Sequence, residues 1–268
     1  MEKKYKKGLV WLRRDYRLID NIALDHALDN CDEVIVSFVY DKHILDPLKE
    51  EDQRIAFIMN AIREVDKALE TLGSQLIVSY GDPIIEIPKI IHRFKVDAIF
   101  FNRDYEPYAI NRDQTIKNNV SIPVHTYKDS VIFEKDDVTT KEGNYYKVFT
   151  PYKNQWLRLY NHKLTKRESS PLGVFSAISE ESNIQDDRWY ELMGFTRKTS
   201  FLQGGRSHAL SQLAKFKKIM NQYDANRDFP SLNQTSNLSP YIRFGCISIR
   251  EMVNVAINTP SSGADVWL

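Results

Sequence analysis

The sequence predicts an α/β fold: a five-stranded parallel, doubly wound (Rossmann-like) sheet in its first half, then a long connection and a group of helices. Three observations carry that expectation. Short β-branched or aromatic runs fall at residues 8–12, 34–40, 75–79, 98–101 and 124–127. The segments between them are long enough for the crossover helices that parallel pairing requires. Apolar periodicity fades near residue 130 and returns at about residue 200 with helical spacing only.

The first run leads into Trp11-Leu12-Arg13-Arg14-Asp15-Tyr16-Arg17-Leu18-Ile19-Asp20-Asn21-Ile22-Ala23-Leu24. A nicotinamide site of the usual doubly wound kind needs glycines to bring backbone against a pyrophosphate, and this turn carries bulky charged residues instead. Read locally, Asp20 caps the next helix. Arg13, Arg14 and Arg17 are then available to Asp15, Asp20 or another segment. Between the second and third runs, Ile55, Ile58, Met59, Ile62, Val65, Leu69 and Leu72 recur at three- and four-residue steps and predict a core helix over residues 52–72. Gly73 supplies its left-handed stop, and Lys67 lies toward the negative end of its dipole. After the fourth run, Pro107 marks a helix start.

Residues 131–199 read as a connection packed across a surface, because structureless loops this long are uncommon inside a compact domain. A helix within residues 147–160, beginning after Pro151, is expected there. Beyond residue 200, Ala209, Leu210, Leu213, Phe216, Ile219, Met220 and Tyr223 mark one apolar face. A last helix over residues 248–257 turns Ile249, Met252, Val253 and Ala256 inward. The domains expected are therefore 1–130, α/β; 131–199, connection; and 200–268, helical.

Composition narrows the function classes. The 268 residues include 37 Lys and Arg against 36 Asp and Glu, a net charge of +1 that gives no argument for a nucleic-acid partner. Two distant cysteines, Cys31 and Cys246, suggest neither a metal site nor a disulfide framework, and a reducing cytoplasm is expected. The six histidines lack zinc-ligand spacing, so no metal is expected. No nucleophile-elbow sequence supports a hydrolase. No apolar run reaches membrane-spanning length, and the Lys3, Lys4, Lys6 and Lys7 cluster reads as a solvated tail.

The most specific stretch is residues 223–245, YDANRDFPSLNQTSNLSPYIRFG. Ser239 followed by Pro240 reads as an N-cap and first helical position. Thr235, Ser236 and Ser239 with their backbone N–H groups are suited to a diphosphate at a helix start; an ordinary cap after a polar loop is the alternative.

Three strings in the same order resemble the DNA photolyase/cryptochrome family: the residue 11–24 run, the connection Tyr146-Lys147-Val148-Phe149-Thr150-Pro151-Tyr152-Lys153-Asn154-Gln155-Trp156, and the residue 223–245 stretch. Together they reach from Trp11 to Gly245. The resemblance implies FAD held by Tyr223, Thr235, Ser236, Asn237, Leu238 and Ser239, with Asn237 standing where photolyases often carry Arg. It implies damaged DNA as partner, contacted through Arg227, and a place for Trp267 at the flavin or lesion pocket. No catalytic residue is assigned. Tyr108 and Ala109 stand where folate-binding relatives carry an Asn-Glu pair, so the antenna chromophore is left unknown.

By the same resemblance the activity is deoxyribodipyrimidine photolyase-type, a light-driven electron transfer from flavin that repairs pyrimidine dimers. Family members continue well beyond the point matched by Leu268. This chain by itself is accordingly expected to be inactive, with little stable flavin binding, since a pocket this incomplete buries too little of the ligand. A cryptochrome-like blue-light sensor and a non-catalytic remnant are the alternatives. The helices after residue 200 are expected to be loose beside an independently folded sheet, exposing apolar faces open to self-association.

Overall fold

A computed structural model of the chain describes residues 3–165, 173–178, 187–198 and 201–268. Strand β1 (Tyr5–Leu12) leads through helix α1 (Ile22–Asn30) to β2 (Cys31–Asp41). The short α2 (Lys42–Leu45) and the long α3 (Gln53–Glu70) precede β3 (Leu76–Gly81). Helix α4 (Pro83–Phe94), β4 (Ala98–Asn102), α5 (Pro107–Asn119) and β5 (Val124–Tyr127) complete the α/β part. Every pairing is parallel and the strand order is β3-β2-β1-β4-β5. The five predicted strands are all present, with β1 and β2 beginning earlier than their apolar runs, at Tyr5 and Cys31.

Side-chain alternation explains why this sheet is covered on both faces. Val10, Leu12, Val34, Val36, Phe38, Ala98 and Phe100 point to one core with α1 and α3. Leu9, Trp11, Ile35, Val39, Ile99 and Phe101 point to the other, against Ile87 and Ile90 of α4 and Ile116 of α5. Period-two alternation of two apolar sets is what a doubly wound sheet requires.

Helix α3 buries the predicted stripe from Ile55 to Leu69, whereas Leu72, placed in the same stripe, lies past the helix end and is exposed. The helix ends at Glu70, short of the expected residue 72, and the predicted left-handed stop is Gly73, whose φ is +76°, with Ser74 N–H donating to Leu69 O at 3.0 Å and Gly73 N–H to Glu70 O at 3.1 Å. At its start the Asp52 carboxylate accepts from Arg54 N–H at 2.9 Å. Asp52→Ala is expected to lower unfolding free energy by about 1 kcal/mol, the usual worth of an N-cap, read as a shift in the urea midpoint.

The connection packs onto the sheet part where it is described. Val34 N–H donates to Val174 O and Ser176 N–H to Val34 O, both at 2.9 Å, so buried Phe175 lies beside the start of β2. Helix α6 (Phe149–Leu159) begins before Pro151 rather than after it. The ring sits in the first turn, where a missing N–H costs nothing. Helix α7 (Arg188–Leu192) adds Tyr190, and Met193 and Phe195 follow it into the core.

The remaining helices are α8 (Arg206–Lys217), α9 (Tyr223–Asn226), α10 (Ser239–Arg243), α11 (Ile249–Ile257) and α12 (Ser262–Trp267). The helix expected from residue 200 starts at Arg206; the 199/200 boundary itself lies outside the described residues. Leu210, placed inward by periodicity, is exposed, while Ala209, Leu213 and Phe216 are buried. Part of this helical segment packs on the sheet, while Phe229, Leu232, Ile257 and Val266 are exposed. Ala209, Leu213, Leu238, Tyr241, Cys246, Ile247 and Met252 join the same apolar cluster as Val10, Phe38 and Phe57 of the sheet part. Phe216 and Met220 pack instead with Ala264 of α12 in a separate cluster.

Candidate functional site

Beyond the carboxyl end of β1 the charged loop at residues 13–20 turns under the helical segment. Asp20, expected to cap α1, does not: Asn21 is the N-cap, its side chain accepting from Leu24 N–H at 3.3 Å. Asp20 instead adopts φ +51° and turns its carboxylate to α11, where Arg250 Nε donates to it at 2.9 and 3.0 Å and the Ser248 hydroxyl also bonds it. Arg250 Nη2 and Arg17 Nη2 both reach Asp129 Oδ1, at 2.7 and 2.8 Å. Arg17 Nη1 donates to Gly245 O at 3.1 Å.

Two arginines and two aspartates thus form a buried, charge-balanced network joining three distant segments. Burial by itself would raise the Asp129 carboxyl, but the charges and hydrogen bonds of Arg17 and Arg250 hold it below the usual carboxylate range. At Asp15 burial, followed by the Asp129 charge, outweighs the nearby Arg17 and Arg13 and raises the carboxyl. Neither Asp129 nor Arg250 was singled out from sequence. An arginine in an otherwise apolar helical pattern, and an aspartate just past a strand, were the available signals.

Against Arg13, Arg14 and Tyr16 of the same loop lies a cavity of about 470 Å³. Trp11, Phe38, Val39, Tyr40 and Asp41 place it at the carboxyl ends of β1 and β2. Leu45, Leu48, Arg54 and Ile58 wall one side and Ser239, Pro240, Arg243 and Phe244 another. Tyr16 and Phe244 stack at 5.9 Å, and Tyr16 packs edge-on to Phe38 at 5.4 Å. Five arginines, Arg13, Arg14, Arg54, Arg112 and Arg243, share the lining with two aspartates, Asp41 and Asp104. Arg13 and Arg112 lie over the Trp11 ring at 5.0 and 4.8 Å, and the buried Trp11 Nε1–H has no acceptor among the described residues. Flat aromatic walls beside the solvent-accessible Arg14, Arg54 and Arg243 fit a planar ring that carries an anionic group.

A second, polar cavity of about 250 Å³ lies at the carboxyl ends of β1 and β4, the point where strand order reverses. It shares Arg13, Arg14, Asp104 and Arg243 with the first.

The predicted phosphate segment lies at the edge of the large cavity. Helix α10 includes Ser239 and is preceded by Leu238, so Ser239 is its first residue rather than its cap. Thr235, Asn237 and Ser239 are exposed, Ser236 is half-buried and Leu238 is buried. Asn237 adopts φ +52°, and Gln212 Nε2 donates to Ser236 O at 3.0 Å, tying the segment to α8. Asn226 bonds Gln234, which brings the α9 of Tyr223 beside the same loop. Of the six predicted flavin residues, Ser239 lines the large cavity. Arg227 is exposed, 3.8 Å from Asp228, and Trp267 packs on Phe216 at 5.1 Å. Tyr108, at the predicted antenna position, donates its hydroxyl to Asp41 at 2.8 and 2.9 Å. Among the described residues no cluster suited to a metal ion occurs, and no helix is long and apolar enough to cross a membrane.

Comparison with known proteins follows this geometry. A DNA photolyase family model matches residues 8–171. The chain is 31% identical over 266 residues to a deoxyribodipyrimidine photo-lyase of Alkalihalophilus pseudofirmus, the match covering 93% of this chain and 53% of that protein. It is 29% identical to an uncharacterized 31.6 kDa protein of Synechococcus sp., covering 92% of this chain and 87% of that one. Among solved structures, a photolyase of Sulfolobus tokodaii, described with two FAD molecules and an implied light-harvesting cofactor, superposes with TM-score 0.71 and 28% identity over 97% of this chain and 56% of its own. A class III photolyase of Agrobacterium tumefaciens shares the fold at TM-score 0.82 and 22% identity, covering 99% and 56%. The chain spans about half the length of the photolyases it matches.

Proposed function

Because the chain belongs to the DNA photolyase family, we propose that it is the chromophore-gathering portion of a photolyase-type protein, the activity of the whole being light-driven, flavin-dependent repair of pyrimidine dimers in damaged DNA. The observation that carries this reading is the aromatic, arginine-rimmed cavity of about 470 Å³. Its volume is within the range for a small-molecule site, and its position outside the strand ends is where α/β sheets hold ligands. The ligand class it suits is a flat heteroaromatic ring, in keeping with the light-harvesting cofactor implied for the Sulfolobus relative.

When bound, a flavin supplies light absorption and electron transfer; the chain's own residues bind, orient and exclude water. Tyr16, Phe38 and Phe244 enclose the ring, and the arginines answer its charge. The domain reading remains an antenna-type unit over residues 1–130, a connection over 131–199 and the first part of a FAD-binding helical unit over 200–268. Tyr223, Thr235, Ser236, Asn237, Leu238 and Ser239 would hold the FAD diphosphate, with Arg227 and Trp267 toward DNA. Free, buried Cys31 and Cys246 accord with a cytoplasmic setting.

Titration of the purified chain with riboflavin tests the cavity. One-to-one quenching of flavin fluorescence is expected, abolished in Leu48→Trp, which fills the slot from its partly buried wall. FAD held only by the 235–239 segment should wash off the Leu48→Trp variant on dialysis. Failure of the wild type to bind riboflavin would reject the cavity reading, and stoichiometric FAD on the blocked variant would reject the weak-cradle reading.

A further inference from the structure

The wall between the two cavities holds an ion triad. Arg14 donates to Glu106 through both terminal nitrogens, at 3.1 and 2.7 Å, and Arg243 of α10 bonds the same carboxylate. Both arginines line both cavities, whereas Glu106 lines the small one alone.

The carboxylates around the cavity differ in what else they hold. Asp41 caps α2 through His43 N–H at 3.0 Å and also takes Tyr108 and Arg112. Asp52 caps α3, and Asp104 accepts from Tyr105 N–H at 2.7 Å. Asp113 bonds Arg13 and Arg112, both buried. Glu106 heads α5 yet makes no cap hydrogen bond with its side chain. Its side chain bonds the two guanidinium groups of Arg14 and Arg243 and is 49% exposed against 55% for Arg243. It can swing into water without unmaking any backbone contact.

We propose that Glu106 is an exchangeable counter-ion: it occupies Arg14 and Arg243 until the phosphate or carboxylate of a flat ring ligand takes its place, making this pair the determinant of preference for anionic over neutral ligands. The inference rests on the cavity reading above and adds the identity of the groups that set its selectivity. Two guanidinium forks converging on one carboxylate present the donor pattern that a phosphate monoester uses, so exchange conserves charge-assisted hydrogen bonds. Hydrogen bonds from Arg14 and then Arg243 draw the Glu106 carboxyl to about 2, so it competes as a full anion throughout the neutral range.

Riboflavin and FMN differ only by the phosphate and serve as probes. The wild type is expected to discriminate weakly, since Glu106 offsets the gain from the phosphate. Glu106→Gln should tighten FMN by about three- to tenfold, the scale of losing an exposed ionic competitor, and leave riboflavin unchanged. Arg243→Gln in the Glu106→Gln background should remove that gain. If both flavins bind and their affinity ratio is the same in wild type and Glu106→Gln, the counter-ion role is overturned while the cavity stands. If neither flavin binds either protein, both inferences fall together. Thermal unfolding of each variant, expected to match the wild type within a few degrees, checks that the altered ratio is not a loss of fold.

Discussion

Arg250→Met is expected to cost the folded chain about 3–5 kcal/mol, because it strips a partner from a buried pair of carboxylates and leaves charge uncompensated in the interior. Arg250 donates to the buried Asp20 and Asp129 through their carboxylates and through both of their backbone carbonyls. The urea midpoint should fall with an unchanged m-value. A loss below about 1 kcal/mol, the scale of an exposed pair, would show that the network is not buried in solution. The same network predicts acid sensitivity. Asp129 is depressed in the folded chain. Its contribution is therefore fully present above the unfolded carboxyl value of about 3.9 and is lost as pH falls through the lower folded value. In Arg250→Met this acid-dependent component should shrink, because one of the two arginines that depress Asp129 is gone.

Gly245→Ala should be the second most damaging change, at about 3 kcal/mol or more. Gly245 sits at φ +60°, and a Cβ there would lie 2.1 Å from Arg14 O and 2.6 Å from Asp15 Cα. Left-handed strain accounts for about 1–2 kcal/mol, and the displacement of backbone for the remainder. Since Phe244 precedes it and stacks on Tyr16 in the cavity wall, the variant is expected to lose riboflavin binding even at temperatures where it remains folded. Far-UV circular dichroism with denaturant, paired with a riboflavin titration, measures both effects. A variant with wild-type stability would mean that the loop at residues 13–20 and the helical segment do not meet as closely as the structure has them.

Several elements were legible because their determinants are local. The apolar stripe of α3 and its stop at Gly73 depend on residues within one helix. The five strands were marked by β-branched runs between crossover-length segments. The residue 11–24 and 223–245 strings identified the family, yet gave no sign that they touch. In the structure they do: Tyr16 N–H donates to Phe244 O at 3.2 Å, and Arg17 to Gly245 O. Asp20 illustrates why local reading misassigned a role. Its short carboxylate is a good cap for the following helix, but the interior offers it Arg250 and Ser248, and the neighbouring Asn21 does the capping instead. Glu106 stands just before Pro107 at the head of α5, and its convergence with Arg14 and Arg243 joins residues separated by up to 137 positions.

The sequence by itself determined the fold class, the parallel sheet, the order of its elements and the family, since periodicity, turn chemistry and ordered motifs are properties of neighbouring residues. Only the tertiary structure decided that the C-terminal helices share the sheet's core, that Arg17, Asp20, Asp129 and Arg250 make one buried network, and that Ser239 and Arg243 close a cavity begun by Trp11 and Phe38. These are encounters between segments distant along the chain. Their energy comes from desolvation and charge pairing at the point of contact, which no local pattern records.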